Sequence, residues 1–155
     1  MQHDALLRLL DANQARFRII EHPPEGKSDL VAKIRGTEPG QGAKAMLCKS
    51  KDATGSLALV VLPGDRKLDF RKVAEALGIR KATLASADEA MTATGNVIGA
   101  IPPFAEAGMA LLVDPELVTT YAEVAFNAGR LDRSIVLDTE DYLRIARPMV
   151  VPVCS

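Results

Sequence analysis

A lysine within an apolar segment is the first residue of this sequence that could do chemistry. Lys44 lies in AKAMLCK, a segment of strand length, and the two-residue repeat of a strand places it on the same face as Met46 and Cys48. A partly buried ammonium can bind a phosphate or carbonyl oxygen, or hold a water molecule in a pocket. A lysine near a strand end can equally extend into solvent, so the pattern leaves both interpretations open.

The second feature is the apolar loop GAIPPF at residues 99–104. Gly99 permits backbone conformations closed to other residues, while Pro102 and Pro103 stiffen the chain and remove N–H donors. The remaining backbone N–H groups of the loop can therefore point at the carbonyl oxygen of a ligand. A rigid corner without a ligand explains the same residues.

Two further polar residues are candidates for contact with a ligand. Asn127 lies in FNAGR, which is typical of a strand that ends in a glycine turn, and its amide can either bind a polar ligand or stabilise the turn. His22 precedes Pro23 and Pro24 in a break between elements. It is a possible acid or base, although a single histidine is more often structural.

A cluster of basic residues is the only feature that points to nucleic acid. It lies between positions 65 and 81 and consists of Arg66, Lys67, Arg71, Lys72, Arg80 and Lys81. These side chains can contact phosphate groups, and a solvated helix face explains them as well.

Hydrophobic periodicity and capping residues predict the elements that position these residues. Helices are predicted at residues 4–14, 29–35, 69–78 and 86–95, and two more begin at Asp114 and Thr139. Strands are predicted at residues 17–20, 43–49, 56–62, near 83, and at 109–113, 123–127, 134–138 and 149–153. Residues 37–42 and 96–104 are predicted loops, and residues 50–55 join a hairpin. The irregular alternation predicts an α/β (α+β) fold with a mixed, barrel-like sheet surrounded by helices.

Composition limits the classes of function. The 155 residues include 48% hydrophobic side chains, which favours one folded domain over residues 1–155. Four Phe, two Tyr and no Trp disfavour an aromatic platform for stacked bases, and a net charge of −1 excludes a strongly cationic nucleic-acid coat.

No cofactor or metal site is predicted. The two cysteines, Cys48 and Cys154, are too few for a disulfide framework and lack the spacing of a zinc site, so we expect a reducing cytoplasm. The sequence has no P-loop, no dinucleotide fingerprint and no nucleophile elbow. It also has no apolar run long enough to span a bilayer, so no membrane partner is expected.

In their order along the chain, these segments resemble the YbaK/ProX family of trans-editing aminoacyl-tRNA deacylases. The resemblance is carried by QGAKAMLCK, VVLPGDRKLD, GAIPPF, VAFNAG and TEDYLRIA, and it is closest to the YeaK-type branch. It implies a free-standing relative of the editing domain of prolyl-tRNA synthetases, with mischarged tRNA as partner and no cofactor. An aminoacyl-tRNA synthetase is a further possible partner, and the oligomeric state stays open.

The resemblance also implies roles for individual residues. Lys44 and Gly99 correspond to the catalytic positions of the family. It implies that the aminoacyl end contacts the loop residues Ala100, Ile101, Pro102 and Pro103 and the segment Asn127, Ala128 and Gly129. His22, the possible acid or base, is a further candidate contact with this end, and Arg66, Lys67, Arg71 and Lys72 of the basic cluster are the candidate contacts with tRNA. The implied reaction is hydrolysis of the ester of tRNA carrying a small amino acid such as serine, alanine or threonine. The alternatives are a non-catalytic module of the same fold that binds nucleic acid or a small molecule.

Overall fold

The computed structural model describes residues 1–52 and 54–155. These residues form six α-helices: α1 (His3–Ala12), α2 (Ser28–Arg35), α3 (Phe70–Leu77), α4 (Ala87–Thr94), α5 (Pro115–Thr120) and α6 (Thr139–Ala146). They also form eight strands: β1 (Phe17–Glu21), β2 (Ala43–Ser50), β3 (Leu57–Pro63), β4 (Ala82–Leu84), β5 (Ala110–Val113), β6 (Glu123–Arg130), β7 (Arg133–Asp138) and β8 (Met149–Val150). Each of these elements was predicted from the sequence, with ends shifted by a few residues.

The strands form two sheets. One has three antiparallel strands in the order β1-β7-β6, and the other has five strands in the order β4-β2-β3-β5-β8, with β3, β5 and β8 running parallel. A single bridge between Gly42 and Ala125 connects the two sheets. The α+β class is confirmed, but in the described part of the chain the strands do not close into a barrel, because no ladder of paired strands joins one sheet to the other.

Side chains at the helix ends explain where several helices begin. The Asp69 carboxylate accepts hydrogen bonds from the backbone N–H groups of Arg71 and Lys72 at the start of α3. Ser86 and Glu89 form the predicted capping box at the start of α4. These local signals fix element ends without tertiary contacts, which is why the sequence predicts them well.

Three segments differ from the prediction. The loop at residues 37–42 contains a 3₁₀ turn, Pro39–Gln41, and the last strand is limited to β8. The predicted turn at FNAGR is instead a continuation of β6, with a register shift between Asn127 and Arg130 that places Gly129 at a φ of +76°. The middle of the connection between β2 and β3, at residue 53, lies outside the described residues.

The core of the three-stranded sheet holds the GAIPPF loop in place. The Phe104 ring makes edge-to-face contacts with Phe126 and Tyr142, at centroid distances of 6.1 and 5.3 Å. The buried Tyr142 hydroxyl donates a hydrogen bond of 2.8 Å to the Pro103 carbonyl oxygen. None of the described helices is long and apolar enough to cross a membrane.

Candidate functional site

A cleft with a volume of about 130 Å³ opens where the two sheets meet. Its walls come from the start of β2, the middle of β6, helix α2 and the loop that contains Ile98, Gly99 and Ile101. The bridge residues Gly42 and Ala125 lie in this wall. None of the described residues that line the cleft is acidic, whereas Arg35 and Lys44 are both part of the lining.

Lys44 lies at the start of β2, where it pairs with Leu62 of β3. Its ammonium donates a hydrogen bond of 2.7 Å to the Arg66 carbonyl oxygen. Partial burial lowers the pKa of Lys44 from its usual value, since desolvation disfavours the charged form. The sequence left open whether this side chain extends into solvent, and the structure places it, partly buried, in the cleft wall.

Gly99 occupies a backbone conformation that only glycine adopts easily. Its φ is +92°, and a Cβ atom at this position would lie 3.0 Å from both the Cα and the carbonyl oxygen of Gly26. The loop therefore packs directly against the segment that precedes α2. Within the loop, the Ala100 N–H donates to the Val97 carbonyl oxygen, while the N–H groups of Gly99 and Ile101 have no hydrogen-bond partner among the described residues.

Asn127 connects the two loops on either side of the cleft. Its Nδ2 donates hydrogen bonds of 2.9 Å to the carbonyl oxygens of Glu25 and Gly99. These two acceptors fix the orientation of the amide, so Oδ1 is its acceptor. Oδ1 accepts hydrogen bonds of 3.0 Å from Arg35 Nη2 and from the Ser134 hydroxyl. Asn127 thus holds Gly99 in place in addition to lining the cleft.

Arg35 is a residue of the cleft that the sequence analysis did not identify. It is the last residue of α2, and its Nε donates a hydrogen bond of 2.7 Å to Ser134 Oγ. Burial lowers the pKa of Arg35 to about 10, which still leaves the guanidinium charged at neutral pH. Arg35 therefore contributes a positive charge to the lining of the cleft.

His22 reaches the same network from the outer side. Its Nδ1 donates a hydrogen bond of 2.8 Å to the Pro23 carbonyl oxygen, and its Nε2 shares one of 2.7 Å with Ser134 Oγ. His22 is therefore linked to the cleft residues Arg35 and Asn127 through Ser134. In this arrangement His22 supports Asn127 and Arg35, and it does not line the cleft itself.

The predicted ligand contacts divide into two groups. Gly99, Ile101 and Asn127 line the cleft with Lys44. The others pack behind or beside it: Ala100, Pro102, Pro103 and Ala128 are buried, and the Gly129 N–H donates a hydrogen bond to the Ala100 carbonyl oxygen. This second group shapes the loop and strand that carry the lining residues.

The predicted tRNA contacts lie on and before α3. Lys67, Arg71 and Lys72 are exposed, and the Lys72 ammonium donates to the Cys154 carbonyl oxygen. Arg66 forms an ion pair of 2.9 Å with Glu116, and its backbone carbonyl accepts the hydrogen bond from Lys44. Arg66 thus links the basic surface to the cleft.

One group of side chains has the composition of a metal site, outside the cleft. Ligand atoms of Asp114, Glu116 and Cys154 lie within 4.8 Å of one another. However, the Asp114 carboxylate already accepts backbone hydrogen bonds from Glu116, Val153 and Cys154. Burial, reinforced by Asp114, raises the pKa of the Cys154 thiol to about 12, which disfavours the thiolate form that binds metals. These residues fit a helix cap better than a metal site.

Comparison with known proteins gives a consistent result. A model of the aminoacyl-tRNA editing domain matches residues 22–145. The chain is 44% identical over 151 residues to the "Multifunctional Ser/Thr-tRNA deacylase ProXp-y" of Escherichia coli (strain K12), a match that covers 96% of this chain and 90% of that protein. The protein of the same name from E. coli O157:H7 matches equally well.

Solved structures show the same fold. The crystal structure of a hypothetical protein superposes with a TM-score of 0.86 at 22% identity, covering 97% of this chain and 99% of that one. The structure of a candidate trans-editing enzyme for prolyl-tRNA synthetase superposes with a TM-score of 0.84 at 20% identity, covering 99% and 96%. The family resemblance inferred from the motifs is therefore confirmed, and the chain belongs to the family of aminoacyl-tRNA editing domains.

Proposed function

We propose that this chain is a trans-editing deacylase that hydrolyses the ester of tRNA mischarged with serine or threonine. The observation that carries the proposal is the shared cleft of Lys44 and Gly99, in a chain 44% identical to a Ser/Thr-tRNA deacylase over nearly its whole length. The cleft also suits such a reaction because an aminoacyl ester is already reactive. A site for it needs to position water, stabilise negative charge and exclude large side chains.

In the proposed reaction, the oxygen of a water molecule forms a bond to the ester carbonyl carbon. The carbonyl oxygen becomes an oxyanion, and the bond to the ribose oxygen then breaks while that oxygen takes up the proton lost by the water. The free N–H groups of Gly99 and Ile101 are the backbone donors available to the oxyanion. Lys44 anchors the terminal adenylate or holds the water, and a free ribose hydroxyl of the tRNA can help to activate that water.

Selectivity in this proposal comes from the size of the cleft. A volume of about 130 Å³ admits a small aminoacyl group, and the apolar walls at Val31, Ile101 and Phe126 leave little room for a larger one. Ala100, Pro102, Pro103, Ala128 and Gly129 act by holding the lining residues in position. His22 acts in the same way through Ser134.

The tRNA body is proposed to contact the basic surface at Arg66, Lys67, Arg71 and Lys72. The hydrogen bond from Lys44 to Arg66 supports this orientation, because it places one end of that surface next to the cleft. The net charge of −1 predicts weak, salt-sensitive binding. We propose that the protein acts in the cytoplasm. Binding to an aminoacyl-tRNA synthetase stays a prediction.

The experiment is a deacylation panel with purified protein and tRNAs charged with serine, threonine, alanine and a bulky residue such as phenylalanine. We expect release of serine and threonine from non-cognate tRNA well above the spontaneous rate, and no acceleration for phenylalanine. Absence of acceleration on every substrate would exclude the deacylase. In that case, tRNA binding in the same samples would favour a nucleic-acid-binding module, and its absence would favour a small-molecule domain.

A further inference from the structure

Arg35 is a cation with no carboxylate partner among the described residues. Its Nε and Nη2 donate to Ser134 Oγ and Asn127 Oδ1, which are both neutral acceptors. Burial of a charge without an opposite charge is unfavourable, and proteins commonly reduce that cost with an ion pair. The unmatched charge of Arg35 therefore calls for an explanation beyond the stability of the fold.

The third nitrogen of the guanidinium remains available to a ligand. Nη1 has no hydrogen-bond partner among the described residues, and a Cβ atom placed on Gly42 would lie 3.8 Å from it. Gly42 lines the cleft at the junction of the two sheets. The free donors of Arg35 are thus at the cleft, while its other two nitrogens are held by Ser134 and by Asn127, which itself lines the cleft.

A single amide group links Arg35 to the GAIPPF loop. Asn127 accepts from Arg35 Nη2 and donates to the Gly99 carbonyl oxygen. That second hydrogen bond occupies the Gly99 carbonyl, whereas the N–H groups of Gly99 and Ile101 are left without a partner in the described chain. The cleft therefore combines a fixed cation with uncommitted backbone donors. That combination is suited to an oxygen that gains negative charge.

We propose that Arg35 is a catalytic residue that binds the ester carbonyl oxygen through Nη1 as this oxygen becomes an oxyanion. The inference rests on the proposed deacylase function and adds a charged donor to it. The attacking water supplies the oxygen that bonds to carbon, the π electrons of the carbonyl move to the oxygen held by Arg35, and they return when the bond to the ribose oxygen breaks. Arg35 donates hydrogen bonds throughout and keeps all of its protons.

Two other parts of the substrate fit Arg35 less well. The α-amino group of the aminoacyl ester is itself cationic when protonated, so Arg35 would repel it. A seryl or threonyl hydroxyl can accept a hydrogen bond, but its charge does not change during the reaction. Contact with the hydroxyl would strengthen binding equally in the ground state and the transition state, and would alter KM, while contact with the oxyanion alters kcat.

The test compares Arg35→Ala with Lys33→Ala, which removes an exposed cation from the same helix. Single-turnover deacylation of Ser-tRNA, measured over a range of enzyme concentrations, separates the maximal rate from the half-saturating concentration. We expect Arg35→Ala to lower the maximal rate by about 10²-fold or more, with less than about a threefold change in half-saturation. Lys33→Ala should keep the wild-type maximal rate. Guanidinium ion added to Arg35→Ala should restore part of the rate and leave wild type unchanged.

A wild-type maximal rate in folded Arg35→Ala, or a loss confined to half-saturation, would overturn the inference while leaving the deacylase in place. An inactive wild-type protein would overturn both. If Arg35→Ala fails to fold by circular dichroism, Arg35→Lys decides the question, since it keeps the charge but cannot form both anchoring hydrogen bonds. The expected maximal rate of Arg35→Lys is at least tenfold below wild type, and a wild-type rate would reject the proposal.

Discussion

Arg16 and Arg35 each connect segments far apart in the sequence, yet their surroundings are opposite. Arg16 donates from Nε to Asp141 at 3.1 Å and from Nη2 to Asp138 at 3.0 Å, so its charge is matched by carboxylates. Arg35 has only the neutral oxygens of Ser134 and Asn127 as partners in the described chain. The first cluster joins the segment before β1 to the start of α6, and the second borders the cleft.

The two pKa values move in opposite directions for this reason. The hydrogen bond with Asp141 is the main cause that raises the pKa of Arg16, while burial lowers the pKa of Arg35 to about 10. A matched ion pair at the surface of a fold contributes modestly to stability. In the proposed mechanism, an unmatched, partly buried cation next to free donors serves to bind a negatively charged oxygen. We therefore expect changes in the two regions to separate activity from stability.

The largest expected effect in the cleft region comes from Gly99→Val. Any side chain here meets the backbone of Gly26 at 3.0 Å and must also adopt a φ of +92°. The displaced loop should lower kcat by about 10²-fold or more, because the Gly99 and Ile101 donors shift from the reacting oxygen. KM should change much less. Deacylation kinetics measure kcat and KM, and a thermal melt checks that the variant stays folded.

Gly108→Val is the matched control for this substitution. Gly108 also has a positive φ, of +80°, but no atom lies within 4 Å of the position of its Cβ. The variant should therefore share the backbone strain and keep the wild-type kcat. Equal losses of kcat in the two variants would show that backbone strain alone explains the effect. The proposed contribution of the Gly99 loop to catalysis would then be rejected.

A smaller effect, confined to stability, is expected from Asp141→Asn. The Asp141 carboxylate accepts hydrogen bonds from the Arg16 backbone N–H at 2.8 Å and from Arg144 at 3.2 Å, as well as from Arg16 Nε. An amide cannot accept them all, so the free energy of unfolding should fall by about 1–3 kcal/mol at pH 7. The kcat of the folded variant should match wild type. A tenfold loss of kcat would contradict the separation of the two regions.

The pH dependence of this effect follows from the pKa of Asp141. The hydrogen bonds from Arg16, side chain first, lower that pKa from 3.8 to about 2. A carboxyl with a depressed folded-state pKa stabilises the protein above its unfolded pKa and loses that contribution as the pH falls. The stability difference between wild type and Asp141→Asn should thus be full above pH 5 and shrink between pH 4 and pH 2. Denaturant unfolding at several pH values measures it.

The sequence predicts the helices and strands well, and it also identifies several cleft residues. Both predictions rest on patterns among residues close together in the sequence. Apolar periodicity, the Asp69 cap and the Ser86–Glu89 capping box depend on neighbouring residues only. Residue type and local pattern made Lys44, Gly99 and Asn127 candidates, and the family resemblance of their segments added a role for each. The arrangement in two sheets was not predicted, since it depends on pairings between strands far apart in the chain, such as β1 with β7 and β3 with β5.

Arg35 was missed for a related reason. A basic residue in the last turn of a helix, just before Gly36, is the usual complement to the helix dipole, so its type and place gave no sign of a role in a cleft. Its partners Ser134 and Asn127 lie on β7 and β6, and no spacing in the sequence relates them to α2. His22 was noticed as a possible acid or base, but its contact with Ser134 could only be found in three dimensions.

The most direct test of the central claim, that this cleft is the active site, is the rate of Ser-tRNA deacylation by Lys44→Ala beside Lys49→Ala. Both lysines lie on β2, but Lys49 pairs with Glu89 outside the cleft. The account predicts that Lys44→Ala lowers kcat/KM by about 10²-fold or more, through both terms, while Lys49→Ala keeps the wild-type value and both variants stay folded. A folded Lys44→Ala with wild-type kcat/KM would contradict it.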